Sequence, residues 1–159
     1  MAQHTCSYGN HLGGLLSVRL YDAGLFTLQS SDSEAGGQAA PTAEPLEVAF
    51  ADNGARYTER YLSGGEVEHR LEIVVSGFRP EEIARMVAMS GRGMVAILTL
   101  ASGQEWVVGY SPKGRGDYPL RLLEAECDSS SKRAHPPTTR LLLGSVDGWM
   151  ATPLGGGAE

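Results

Sequence analysis

Cysteine is nearly absent from the chain: Cys6 and Cys127 are the only two among 159 residues. They lie far apart, so a dense disulfide framework is excluded, and both are expected as free thiols in a reducing compartment. Lysine is equally scarce, with Lys113 and Lys132 against eleven arginines. The 13 basic residues are outnumbered by 19 acidic ones, for a formal net charge of −6. An acidic surface repels phosphates, which argues against a DNA- or RNA-gripping domain. Long apolar runs are missing too. A stretch such as Met94 to Leu98 is far too short to span a bilayer. The start, MAQHTCSYGNHLGG, has no positive segment followed by an apolar one, so no secretory signal is expected.

What is present is globular in character. Apolar residues make up 42% and charged residues 20%, which fits one domain over residues 1–159. Glycine, at 21 residues, implies many turns and hence many short strands. Residues 15–28 (LLSVRLYDAGLFTL) are expected as two short strands around the Asp22-Ala23-Gly24 break, or one strand with a bulge. Residues 29–45 contain no aromatic residue and no Leu, Ile or Val, so they are expected as a long flexible loop that buries no face. Short strands are expected over 46–50 and 56–62, with turns at Asp52-Asn53-Gly54 and Ser63-Gly64-Gly65. Residues 67–75 alternate: Val67, His69, Leu71, Ile73 and Val75 share one face, and Glu68, Arg70, Glu72 and Val74 the other.

One helix is expected over about 79–90. Pro80 suits a first helical position, Glu81 and Glu82 suit the positive end of the dipole, and Gly91 is placed to stop it. Ile83, Met86, Val87 and Ser90 follow helical spacing. Residues 94–100 (MVAILTL) read as a strand buried on both sides, with a hairpin return over 105–110. Further strands are expected over 118–127 and 139–146, separated by a polar loop at 128–138. Residues 149–152 add a short last strand, and 153–159 are expected to fray. The total is about eight mostly antiparallel strands and one flanking helix, a mainly β sandwich or barrel.

No catalytic, cofactor or metal constellation stands out. His4, His11, His69 and His135 have no ligand spacing, and there is no G-x-S-x-G elbow. The Gly-rich stretches KGRG (113–116) and SGRG (90–93) lack the Lys-Ser/Thr and helix of a phosphate loop. His69, on the apolar face of its strand, reads as a hydrogen-bonded core or interface histidine. Glu124, Glu126 and Asp128 form an acidic face of one strand. Trp106, Tyr110, Tyr118 and Trp149 would make a stacking platform for a sugar if they converged, which is the alternative function. Arginine-rich, lysine-poor surfaces favour pairing with carboxylates across protein interfaces. The interface candidates are Arg56, Arg60, Arg115, Lys132, Arg133 and His135.

The succession GNHLGGLLSVRLYDAG, DNGARYTERY, VEHRLEIVV, PEEIARMVA, MVAILTLASGQEWVVGYS, YPLRL and SSSKRAHPPTTRLLLGSVDG resembles a virion structural protein of Bacteroidetes-type tailed phages and prophages. The layout covers nearly the whole chain and is similar to tail-tube and tail-completion proteins. That resemblance implies a self-assembling subunit, in rings around a DNA channel, built in the host bacterial cytoplasm and carried in the virion. Its partners would be copies of itself and other virion proteins, with DNA passing transiently and no membrane or cofactor involved. A head–tail neck or capsid accessory position fits the same layout.

Overall fold

The computed structural model describes residues 14–26, 28–29, 40–41, 43–50, 54–110, 119–147 and 151–153. The Asp52-Asn53 turn positions, the SPKGRGD loop, Cys6, His4, His11, Tyr118 and Trp149 lie outside them. In chain order the elements are β1 (Leu15–Asp22), β2 (Leu28–Gln29), β3 (Ala40–Pro41), β4 (Leu46–Val48), β5 (Ala55–Tyr61), β6 (Val67–Ser76), α1 (Pro80–Ser90), β7 (Met94–Leu100), β8 (Glu105–Val108), β9 (Arg121–Asp128), β10 (Thr138–Asp147) and β11 (Thr152–Pro153). Eight of these strands have three residues or more. They form two four-stranded antiparallel sheets, β8-β7-β1-β4 and β5-β6-β10-β9, with β11 adding two residues beside β8. The architecture is a sandwich with one helix, not a closed barrel.

Alternation along β6 places the second sheet. Val67, His69, Leu71, Ile73 and Val75 are buried, as their spacing predicts, while Arg70 and Val74 face solvent. Leu71 and Ile73 meet Leu143 and Leu141 of β10 directly across the ladder. These side chains pack against Val18, Leu20, Ala96, Leu98 and Val108 of the first sheet to form the main core. Each fully buried aliphatic side chain there contributes roughly 1.5–3 kcal/mol relative to exposure.

The first sheet is buried on its other face as well. Tyr21, Val95, Ile97 and Val107 point away from the main core and are covered by Phe26, Ala23, Ala43 and Tyr110. The Phe26 ring lies 5.1 Å from Tyr21 and 5.0 Å from Tyr110, in tilted and edge-on contacts. Burial holds the Tyr21 phenol above its ordinary pKa. This second cluster is why β7 is apolar at nearly every position.

Several expectations need correction. The segment 29–45 is not wholly a loop: β2 and β3 pair, Leu28 with Pro41 and Gln29 with Ala40, and Ala43 joins the second cluster. Residues 30–39 lie outside the described ones. Within α1, Met86 is fully buried and Ile83 and Met89 pack on the core, but Val87 is 58% exposed. The buried stripe runs through 83, 86 and 89, one residue per turn, and 87 falls beside it. Pro153, expected to fray, pairs with Trp106, and 154–159 lie outside the described residues.

One corner joins the sheets. Leu120, just before β9, exchanges both backbone hydrogen bonds with Met94 at the start of β7 (2.7 and 2.8 Å). Gly109 permits this approach: its φ is +84°, and a Cβ there would stand 2.9 Å from Met94 O and 3.1 Å from Leu120 N. The helix end closes the same corner, where Ser90 Oγ accepts from Leu122 N–H (3.1 Å) and Ser90 O accepts from Arg121 (2.9 Å).

Candidate functional site

The inner face of β5 carries Tyr57, Glu59 and Tyr61 at every second position, and Glu59 stands opposite buried His69 of β6. Tyr57 Oη donates to Glu59 Oε1 (2.9 Å) and lies 2.6 Å from His69 Nδ1. An Nδ1–H tautomer completes a chain from His69 through Tyr57 to Glu59. Tyr61 Oη donates to Glu59 Oε2 (3.2 Å), and the Ala151 amide donates to Glu59 Oε1 (2.6 Å). One carboxylate thus gathers two phenols and a backbone amide at the margin of the core. The hydrogen bond to Glu59 is the first cause that raises the Tyr61 phenol above its ordinary pKa. His69 is therefore a hydrogen-bonded core histidine. The cluster ties the segment before β11 to the second sheet. Its signal in the sequence was the period-two spacing within RYTERY.

The outer face of the second sheet is a solvated ladder of charge. Arg140 pairs with Glu72 (2.8 Å) and Arg70 with Glu68 (3.0 Å), whereas Arg60 reaches Glu68 at 4.0 Å. Hydrogen bonding to Glu72 raises the Arg140 pKa further, which keeps it charged. A shallow depression of about 430 Å³ lies above Gly144, bordered by Arg70, Arg121, Leu123 and Val146. Leu123 is the extra residue of a bulge in β9, and it lies over Gly144. A Cβ on Gly144 would meet Leu123 Cδ1 at 2.8 Å and His69 O at 3.0 Å, so a larger residue would have to displace the exposed Leu123 side chain and press on the β6 backbone.

The edges of this sheet differ from those of the first. The first sheet ends in the two-residue β11 and three-residue β4. The second ends in seven-residue β5 and eight-residue β9. Along β9 every residue from Leu123 to Asp128 is exposed, whichever face it takes. The strand projects past the cover of the opposite sheet.

The predicted interface residues fall in separate places. Arg56 and Arg60 are exposed on the outer face of β5. Lys132, Arg133 and His135 are exposed in the loop between β9 and β10, where His135 N–H donates to Lys132 O (3.0 Å). The two groups belong to different ends of the strand order, and Arg115 lies outside the described residues. Of the four residues of the sugar platform, Trp106 and Tyr110 fall on opposite sides, since Val107 faces the second cluster and Tyr110 packs with Phe26, while Tyr118 and Trp149 lie outside the described residues. Among the described residues there is no group of three or more potential metal ligands, and Cys127 is an exposed free thiol. No helix among them is long and apolar enough to cross a membrane. Comparison with family models, with curated proteins and with solved structures found no match.

Proposed function

We propose that the protein is a non-enzymatic, self-associating structural subunit of a tailed-phage virion, a component of the tail tube or its completion ring. A neck or capsid accessory position is the neighbouring alternative. The supporting observation is that, among the described residues, one sheet ends in two long strands, β5 and β9, while the other ends in short ones. Open edges of this length are normally covered, blunted or paired with another chain. Pairing between copies covers them, and closed rings remove them. The net charge of −6 suits a channel past which DNA moves without sticking.

Negative-stain imaging of the concentrated protein tests this. Rings or stacked tubes are expected. A single monomeric species by light scattering at every concentration overturns self-association. For the virion assignment, mass spectrometry of purified phage particles from the host should find this chain in many copies. Its absence there removes the virion role and leaves self-association standing.

A further inference from the structure

We propose that the depression over Gly144 is a carboxylate cradle, in which Arg70 and Arg121 grip an acidic side chain of a second copy of this chain. This rests on the self-association proposed above and names a surface that carries it.

Strand register builds the cradle. Gly144 of β10 stands between Arg70 of β6 and Arg121 of β9 in one cross-strand row. Residues in such a row point to the same face, here the outer one. The two arginine backbones are therefore two strand spacings apart, roughly 10 Å. Gly144 puts no side chain between them; the tip of Leu123 lies there instead, as an apolar floor. Two guanidinium groups rising from such a row can close on one carboxylate above that floor. Val146 and Pro119 add an apolar border beside them.

Both arginines are already aimed. Arg121 donates to Ser90 O at the end of α1 (2.9 Å), and its neighbour Leu120 is locked to Met94 by two backbone hydrogen bonds. Arg70 donates through Nε to Glu68 (3.0 Å). Each of these contacts engages one nitrogen of a group with five N–H donors. Side chains held in this way lose less freedom on binding. The charge is unbalanced as well. Among the described residues that line the depression, Arg70 and Arg121 are basic and Glu68 alone is acidic, and Glu68 also faces Arg60 at 4.0 Å.

The occupant follows from shape and charge. The depression is shallow, whereas small-molecule sites enclose most of their ligand's surface. An acid on a protein surface brings the cover that this face lacks. The chain has acids in excess, 19 against 13 basic residues, so another copy presents such groups to a basic recess. Water leaves as the two surfaces meet, which strengthens each charged hydrogen bond. Leu123 and Val146, exposed beside the arginines, are covered in the same step. Cradle against cradle sets arginine against arginine and is rejected. The contact therefore joins unlike surfaces, and head-to-tail contacts of that kind build rings or filaments instead of stopping at a dimer.

Neutral variants and a competing carboxylate test the cradle. Arg70→Gln and Arg121→Gln should each weaken assembly by about tenfold in light scattering, since one charged hydrogen-bond donor is lost. Arg85→Gln makes the same change of charge at an exposed position of α1 that does not border the depression, and should leave assembly unchanged. The wild type gives a reading that needs no variant. Replacing chloride by isovalerate at equal ionic strength should dissolve the assembly, because a carboxylate on a short branched stem fills the recess. Assembly equal to wild type in both cradle variants, or indifferent to isovalerate, overturns the cradle and leaves self-association standing. Equal weakening in Arg85→Gln assigns the loss to net charge and also overturns the cradle. A wild-type chain that never assembles overturns both.

Discussion

The two sheets of this molecule are built for different work. The first is enclosed: Ile97 and Val95 are as buried beneath Phe26 and Tyr21 as Leu98 and Ala96 are within the sandwich. Its edge strands are short. The second is half enclosed, with His69, Leu71 and Ile73 inward, a wet face of paired charges outward, and, among the described residues, long strands at both ends. Stability is concentrated where both faces are covered. Exposed surface for contact lies along β9, where every residue from Leu123 to Asp128 is exposed.

The largest effect separates the outer faces. Phe26→Ala should cost about 3 kcal/mol in urea unfolding, because it uncovers a face of β7. If Phe26→Ala costs no more than a surface change, the second cluster is not part of the cooperative fold. Next, Gly144→Ala forces Leu123 and the β6 backbone apart and should cost about 1–3 kcal/mol. Glu59→Gln removes the charge that gathers Tyr57, Tyr61 and the Ala151 amide, a loss of about 1–2 kcal/mol in the same assay.

A smaller effect appears in alkali. Burial holds the Tyr21 phenol above 10.0, so the unfolded chain releases that proton first. The stability it contributes is present below pH 10.0 and is lost as pH rises through the higher folded value. Urea midpoints measured on either side of that pH should fall more steeply for the wild type than for Tyr21→Phe. The smallest effect is expected on the wet face: Val74→Ala, at a position 40% exposed, should stay within about 0.5 kcal/mol of wild type.

Much of this contrast is readable in the residues. The alternation of Val67 to Val75 and the nearly unbroken apolarity of MVAILTL distinguish a one-sided strand from a two-sided one. Pro80 marks the helix start. What covers the far side of β7 is not readable, because Phe26, Ala43 and Tyr110 come from separate segments and carry no shared period. Trp106 and Tyr110 share strand parity and would share a face in a continuous strand; they separate because β8 ends at Val108 and Gly109, at φ +84°, breaks the alternation. The acidic stripe at 124, 126 and 128 is plain in the sequence. Its place on an edge strand of the described sheet, at the end opposite the arginines of β5, depends on the strand order.

Hydrogen exchange as a function of protein concentration tests the division between the sheets most directly. Amides of Ala125 and Cys127 in the exposed edge strand β9 should be protected in the concentrated protein and lose protection on dilution, while those of Val95 to Leu98 in β7 stay protected throughout. Equal protection at Ala125 and Cys127 at every concentration would contradict the account.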